Sequence, residues 1–323
     1  MDRVATIRSM FATSGHGLEI GPSFDPLFPK NEGFEVDIVD HASAEDLRRK
    51  YRDERGIDCS RIEEVDHVWD GRPLTEVIGR TACYDYIVAS HVIEHTPDLL
   101  GFLKECDGLL KPGGVLFLAV PDKRRCFDIL RPLSTTGGVL QAHLERRTRH
   151  IPAVAFDHVA YFATLDGVGA WPARSSGDLN LANELSFARA IYERSLASSD
   201  YYDFHAWTFC PSSFRMILKD LNDLGALSLR EDKFLLTAGI EFLVTISRSG
   251  AGCNWTRRDL LAGAQEELSE FPVAATEPVS VSTPEPAPAS APAPSAAIPV
   301  RRGFAGGRAM APLRGAIRAL RGH

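Results

Sequence analysis

Two acidic residues, each in or after a short apolar run, could bind parts of a nucleotide-like cofactor. Glu19 lies in the run Gly17–Ile20, which leads into a small-residue turn at Gly21, and Asp40 ends the run Val36–Asp40. The two acids are 21 positions apart, close to the roughly 20-residue offset at which a βαβ unit places a ribose-binding carboxylate beside its first turn. This pattern predicts a pocket for an adenosine-containing molecule.

A second motif could bind metal. Residues 91–95 spell H-x-x-E-H, which matches an inverted zinc-peptidase motif. That chemistry needs a helix, so that two histidines four positions apart share one face. Here a strand-like run ends at Ser90 and a helix is predicted to begin at Thr96. We therefore predict no metal site, keep a zinc hydrolase as a remote alternative, and expect Glu94 and His95 to be a hydrogen-bonded pair that holds the loop.

Composition indicates an ordinary globular protein. The chain has 323 residues, of which 44% are hydrophobic and 24% charged. It has no apolar run of membrane-spanning length and no secretory signal at its start. Its six cysteines are scattered singly, which favours reduced thiols. We expect a cytoplasmic location.

Charge is distributed unevenly along the chain. The net charge is −7, yet residues 301–323 contain six arginines and no acid, so the preceding residues carry −13. A body this acidic is a poor match for nucleic acid as the main substrate. The basic tail at 301–323 has an apolar helical face, so it could contact an acidic partner or a membrane surface, or be a solvated tail.

The elements that must position these residues alternate between strand and helix, which predicts a parallel sheet covered on both faces. Thr96 is expected to cap the clearest helix. A region at 123–205 breaks the pattern, and a Pro/Ala-rich linker is predicted at 272–300. Strands are predicted at Gly17–Ile20, 35–39, 62–69, Tyr84–Ser90, 114–120, 227–230 and 240–247, and helices at 4–11, 44–52, 97–110, 211–224 and, within 251–271, at 255–271.

The order of the motifs resembles that of the class I S-adenosylmethionine-dependent methyltransferases. The motifs are Glu19-x-Gly21, Asp40, Trp69-Asp70, the run YDYIVASH at 84–91 and LLKPGGVL at 109–116. The resemblance covers 15–122 well and 205–248 loosely. It implies a doubly wound, mostly parallel, seven-stranded Rossmann-like sheet within residues 1–250, with 123–205 as a helical insertion that covers the acceptor side.

The resemblance also implies a role for each matching residue. Glu19 would fix the methionine ammonium through the turn, Asp40 would hold the ribose hydroxyls, and Asp70 would meet the adenine amino group. Ser90 and His91 would line the face at which the methyl group is transferred. The residues predicted to bind S-adenosyl-L-methionine are Glu19, Gly21, Pro22, Ser23, Asp40, His41, Asp70, Ser90 and His91.

One departure from the family pattern is clear. The family turn usually has three alternating glycines, whereas Gly21 is followed here by Ser23 and Asp25 at the other two positions. Prolines in the next loop predict that the helix after the turn is short or absent. A catalytically silent module that keeps this fold for binding or assembly is therefore an alternative to an enzyme.

Methyl transfer to a hydroxyl acceptor is helped by a base whose pKa is near neutrality, which favours histidine. The candidates are His91, His158 and His205, and each could instead be structural. Bacterial relatives of this kind are often associated with polysaccharide or sugar modification. We therefore predict O-methylation of a sugar, a glycan or another polar small molecule.

Overall fold

The computed structural model describes residues 2–54 and 56–269. The predicted linker at 272–300 and the predicted basic tail at 301–323 lie outside these ranges. Within the described residues, no helix combines the length and the apolar composition needed to cross a membrane. All six cysteines of the chain lie in the described part, and all are free thiols, as predicted.

The centre of the molecule is a seven-stranded sheet with the order β3-β2-β1-β4-β5-β9-β8. Strands β1 to β5 pair in parallel, whereas β9 runs antiparallel to both β5 and β8. Strands β6 and β7 form a separate antiparallel pair. The strands are β1 (Gly17–Ile20), β2 (Val36–Asp40), β3 (His67–Val68), β4 (Tyr84–Ser90), β5 (Leu110–Pro121), β6 (Ala163–Leu165), β7 (Leu179–Leu181), β8 (Arg230–Leu236) and β9 (Glu241–Ser247).

Helices pack on both faces of this sheet because successive side chains of a strand point in opposite directions. In β4, Ile87 and Ala89 join a buried cluster with helices α3, α4 and α8, whereas Tyr86 and Val88 join a second cluster with α1. The prediction of a doubly wound, mostly parallel sheet is confirmed. The helices are α1 (Arg3–Ser9), α2 (Ala44–Tyr51), α3 (Leu74–Ile78), α4 (Leu99–Leu109), α5 (Thr136–Leu144), α6 (Pro152–Ala160), α7 (Leu185–Ala197), α8 (Pro211–Asp223) and α9 (Arg257–Ser269).

Three local predictions were wrong. The strand expected at 62–69 is reduced to the two residues of β3, because a 3₁₀ turn at Cys59–Arg61 precedes it and the side chain of Asp66 caps the backbone N–H of Ile38. The strand expected at 227–230 is observed at Arg230–Leu236, so it begins at the last residue of the expected range. Helix α4 is capped by Asp98 and not by Thr96, since the Asp98 carboxylate accepts the Gly101 N–H at 2.8 Å.

The segment after β5 contributes helices α5, α6 and α7 and the β6–β7 pair. Helices α6 and α7 bury a small apolar cluster of their own around Ala155, Val159 and Ala188. Between β1 and β2 the structure has one 3₁₀ turn, Lys30–Glu32, and no α-helix. The prediction that the first helix of this unit is short or absent is therefore confirmed.

Candidate active site

A cavity of about 1010 Å³ opens where β1, β2 and β4 end, and side chains from residues 123–205 line its far side. A much smaller cavity, of about 10 Å³, adjoins it and shares Ile20 and Gly21 with it. The large cavity is lined by eight of the predicted site residues, namely Gly21, Ser23, Asp40, His41, Asp70, His91, His158 and His205, and the small one by Glu19, Pro22 and Ser90.

Asp40 lies at the end of β2, and its carboxylate is 2% exposed. Its Oδ2 accepts the backbone N–H of Ser23 at 2.8 Å, and its Oδ1 accepts from the backbone of His41 at 2.7 Å. Burial by itself raises the pKa of Asp40, but the hydrogen bonds from His41 and Ser23 outweigh it and lower the pKa. The carboxylate is therefore ionised and bordered by the cavity, as a ribose ligand must be.

The ring of His41 bridges Asp40 and Lys50. An ammonium has only protons to donate, so the 3.0 Å contact from Lys50 Nζ makes Nε2 of His41 the acceptor. Nδ1 then carries the proton and donates it to Asp40 Oδ1 at 2.6 Å. His41 thus supports Asp40 and lies beside the cavity with a lysine as its second partner.

Glu19 holds the loop that follows β1. Its carboxylate accepts the backbone N–H groups of Leu27 at 2.7 Å and Phe28 at 3.1 Å, and the residue is 2% exposed. It lines the small cavity together with Arg3. Glu19 lines the small cavity, whereas Gly21 lines both cavities. This arrangement agrees with the expectation that Glu19 acts on the cofactor through the turn.

The turn after β1 suits close approach by a cofactor. Gly21 has φ of +65°, and a Cβ added there would lie 3.2 Å from Val92 Cγ2. Ser23 has φ of +54°, and its buried Oγ has no hydrogen-bond partner among the described residues. A buried hydroxyl left unsatisfied at a cavity wall calls for a polar ligand atom. These residues therefore fit S-adenosylmethionine.

Asp70 follows β3 and lines the rim of the large cavity. Its side chain is 51% exposed, and the Nε of Arg72 donates to both carboxylate oxygens, at 3.1 and 3.0 Å. The adenine contact expected for Asp70 stays a prediction. Asp70 can reach an adenine amino group only by sharing its carboxylate with Arg72.

Ser90 and His91, at the end of β4, are held by two residues from distant elements. Arg3 donates to Ser90 Oγ at 2.9 Å and to Glu241 at 2.6 and 2.9 Å, and His91 Nε2 lies 2.7 Å from Glu241 Oε2. His91 has φ of +53°, in the left-handed region that few non-glycine residues adopt. This network holds Ser90 beside the small cavity and His91 beside the large one.

His158 is buried, and its Nδ1 accepts the backbone N–H of His205 at 3.2 Å. Burial lowers its pKa well below the ordinary value, so the ring is neutral and carries its proton on Nε2. A ring in that state has no nitrogen lone pair left to take a proton. Its geometry favours a structural role.

His205 has the geometry of an oriented base. Its Nδ1 lies 2.5 Å from Asp128 Oδ2, and Asp128 Oδ1 accepts from Arg131 at 2.7 Å. Burial raises the pKa of Asp128, but His205 and Arg131 outweigh it, and the pKa lies well below its usual range. The ionised carboxylate holds the proton on Nδ1. No residue of the described ranges hydrogen-bonds to Nε2, and His205 lines the large cavity.

Glu94 and His95 lie in a 3₁₀ turn, Ile93–His95, rather than in an α-helix. The two histidines of H-x-x-E-H therefore do not share a helical face, which removes the basis of the zinc-peptidase alternative. The expected hydrogen bond between Glu94 and His95 is not formed, since Oε1 and Nε2 are 3.7 Å apart.

Several residues of this site were missed in the sequence. Arg3, Asp128 and Glu241 support predicted residues from positions far away in the chain. Asp128 and Glu241 each stand between large apolar neighbours in the sequence. An acid in an apolar run is a signal for a buried, partnered carboxylate, and it could have identified both.

Part of the chain matches a known family. Residues 11–167 match a family model described as a methyltransferase domain. This match and the strand order of the sheet agree with the resemblance to the class I S-adenosylmethionine-dependent methyltransferases.

Short segments resemble curated O-methyltransferases. The human mitochondrial ubiquinone biosynthesis O-methyltransferase is 47% identical over 51 residues, which are 16% of this chain and 14% of that protein. The corresponding protein of Methylocella silvestris is 42% identical over 41 residues, 13% of this chain and 16% of that protein. The chain thus spans about one seventh of the length of these relatives.

Among solved structures, a SAM-dependent methyltransferase of Methanosarcina mazei is 15% identical, with 76% of this chain and 98% of that chain covered. The TM-score of the two structures is 0.37.

Proposed function

We propose that this chain transfers a methyl group from S-adenosylmethionine to a hydroxyl oxygen of a polar small molecule such as a sugar or a glycan unit. When bound, the cofactor supplies an electrophilic methyl group on a sulfonium. The observation that carries the proposal is one continuous cavity, with the Asp40 and Gly21 turn on one wall and His205 on another.

The residues at the ends of β1 and β2 are suited to hold the cofactor. Asp40 offers an ionised carboxylate whose Oδ2 keeps a lone pair for a ribose hydroxyl, and Ser23 offers its unsatisfied Oγ. Gly21 leaves room for close approach of the backbone. Trp69 and Leu74 add apolar surface to the same wall.

The acceptor end of the cavity, which residues of the segment after β5 line, has both arginine and aromatic side chains. Arg146, Arg147 and Arg194 line it, and they would attract an anionic group such as the phosphate of a nucleotide-sugar. Phe127 and Phe204 supply flat apolar surface beside His205. The curated relatives are O-methyltransferases, which supports oxygen as the accepting atom.

His205 is the best placed of the three histidines to assist loss of the acceptor proton. Asp128 fixes its tautomer, and His205 lines the large cavity. His91 contacts Glu241 through Nε2, and His158 uses Nδ1 to hold backbone. A positioned general base contributes about 10²–10⁴-fold to such a step, so His205 would be a major part of the chemistry.

The first experiment measures binding and then turnover. Titration calorimetry should detect S-adenosylmethionine binding, and turnover should be followed as S-adenosylhomocysteine formed with nucleotide-sugars, glycans and simple phenols as acceptors. We expect product with a hydroxyl acceptor and none with the matching deoxy or O-methylated compound. Folded protein that binds no donor at millimolar concentration would refute the proposal.

A catalytically silent binding module is the second candidate, and one observation favours it. The carboxylates of Glu19 and Asp40 are already engaged with backbone N–H groups of the loop after β1. Such a module would bind donor without forming product with any acceptor. Formation of S-adenosylhomocysteine above the rate of an acceptor-free control removes this candidate.

A further inference from the structure

We propose that Arg131 is a positioning residue of the candidate active site, which orients the Asp128 carboxylate towards His205 and keeps the His205 ring neutral. Arg131 does not line either cavity, so it acts through Asp128 rather than by touching the acceptor. That the neutral ring takes a proton from the acceptor rests on the proposed function. The effect of Arg131 on the ring rests on the contacts of the three residues alone.

A buried turn brings Arg131 and Asp128 together. The backbone N–H of Arg131 donates to the carbonyl oxygen of Asp128 at 2.8 Å, and Arg131 Nη1 donates to Asp128 Oδ1 at 2.7 Å. The two side chains are 6% and 2% exposed, and charges taken this far out of water each need a partner. Because Arg131 engages Oδ1, the carboxylate presents Oδ2 to Nδ1 of His205, 2.5 Å away.

The contacts of Arg131 do not explain its burial by stability alone. Within the described ranges, Asp128 is the one residue that accepts a hydrogen bond from the Arg131 side chain, and the buried Nε has no partner. A buried ion pair can often be replaced by apolar residues without loss of stability. The charge of Arg131 is therefore the property that needs an explanation.

The charges of the three residues show what Arg131 does to the His205 ring. Arginine stays protonated in proteins, and Asp128 is ionised. With Arg131 present, the three side chains have no net charge while the ring is neutral, and they become positive once the ring is protonated. Without Arg131, the ring would face an unbalanced carboxylate, which favours the imidazolium. Because a net charge is costly in a buried site, the guanidinium favours the neutral ring.

The protonation state of the ring decides whether His205 can act as a base. An imidazolium has no nitrogen lone pair, so it cannot accept the proton that an acceptor hydroxyl loses. An Asp128–His205 pair without Arg131 would favour that inactive state. Arg131 therefore allows one carboxylate to hold the ring in place without also holding it protonated.

Other titratable groups surround the same ring. Burial lowers the pKa of His158 well below its ordinary value, and the charge of Arg131 acts in the same direction. These groups are unchanged in variants of Arg131, so a difference between such variants reports on Arg131 itself. Besides Asp128 and Arg131, the groups are Glu94 and His95 in the 3₁₀ turn, His150 before α6, His158 in α6 and Asp203 before α8.

The test follows the His205 ring by NMR in full-length, ¹⁵N-labelled protein without donor or acceptor. The signal that is missing from His205→Ala identifies the ring. Arg131→Gln removes the charge but leaves an amide that can donate to Asp128, whereas Arg131→Lys keeps the charge. We expect the ring to take up its proton at least about one pH unit higher in Arg131→Gln than in the parent protein, and within about half a unit of the parent in Arg131→Lys.

Arg215→Gln is the matched control, because Arg215 also pairs with a buried acid, Glu231, at 2.7 Å, but does not line the large cavity. The His205 ring should titrate in this variant as in the parent protein. Turnover should follow the ring: in Arg131→Gln it should be about tenfold lower near pH 6.5 and recover near pH 8.5, with donor affinity unchanged.

Folding of each variant is checked by thermal melting. Should Arg131→Gln fail to fold, Asp128→Asn is compared with the double variant Asp128→Asn/Arg131→Gln, since these two differ only at position 131. The ring should take up its proton at the higher pH in the double variant.

An unchanged ring titration in Arg131→Gln, or an equal one in the second pair of variants, overturns the proposal. The same shift in Arg131→Lys as in Arg131→Gln also overturns it, because the lysine keeps the charge. A shifted ring titration in a protein that forms no product supports the role of Arg131 and counts against the proposed function alone.

Discussion

The carboxylate of Asp40 accepts the backbone N–H of Ser23 at 2.8 Å and so joins the tip of β2 to the turn after β1. Glu19 holds the same loop further along, at Leu27 and Phe28. The loop has no α-helix and few glycines, and these two acids supply much of its order. Asp40 and Glu19, which are predicted to bind the cofactor, therefore also hold the loop that forms part of the cofactor site.

Replacing Asp40 with Ala should weaken S-adenosylmethionine binding by about 1.5–3 kcal/mol, because a charged hydrogen-bond partner of the ribose is lost. Calorimetry measures the change. Asp37→Ala is the matched control: Asp37 lies on the same strand and accepts from Tyr84 and Arg80, yet it does not line the cavity. Equal loss of affinity in both variants would contradict the assignment.

Replacing Gly21 with Ala should cost about 1–2 kcal/mol of folding stability, because its φ of +65° belongs to the left-handed region. The new methyl group would also crowd Val92 at 3.2 Å beside the cofactor wall. Gly33→Ala is the control, with φ of +90° and open space around it. Both variants should unfold at lower urea concentration, and only Gly21→Ala should also lose donor affinity.

Replacing His205 with Ala should lower turnover by about 10²–10⁴-fold and leave donor affinity unchanged, because His205 borders the acceptor end and not the cofactor turn. His158→Asn should have a much smaller effect, since its amide oxygen can still accept the His205 N–H. Steady-state kinetics with calorimetry on both variants decides this. The opposite order of effects would assign the chemistry to His158.

The sequence predicted the sheet well because buried parallel strands are near-continuous apolar runs. Gly17–Ile20 and Tyr84–Ser90 lie where they were expected, and the ends of these strands brought Gly21 and His91 to one cavity. The length of strand β3 was overestimated, because β3 lies at the edge of the sheet and an edge strand needs few hydrogen bonds. The side chain of Asp66, next to β3, instead accepts the backbone N–H of Ile38.

The acceptor side was less predictable, because it is built from contacts between distant positions. His205 meets Asp128 across 77 positions and His91 meets Glu241 across 150. No local periodicity encodes such a pair. The histidines could be named as candidates, but which nitrogen of each is already engaged depends on these partners.

Stability should fall in acid through Glu241. Burial by itself raises the pKa of Glu241, but His91 and Arg3 outweigh it and lower the pKa from 4.5 to about 2. Between these values the unfolded chain binds the proton and the native protein does not. The stabilisation, about 3 kcal/mol, is therefore complete above pH 4.5 and is lost as the pH falls towards 2.

The variant Glu241→Gln should remove this part of the pH dependence. Urea unfolding at pH 7, 4.5 and 3 would measure it: the variant should be less stable than the parent protein at pH 7, and the gap should shrink as the pH falls. Glu32→Gln is the control, since the Glu32 side chain is 52% exposed and its ion pair with Arg8 is solvated. A gap that stays constant from pH 7 to 3 would show that Glu241 is not held ionised by Arg3 and His91.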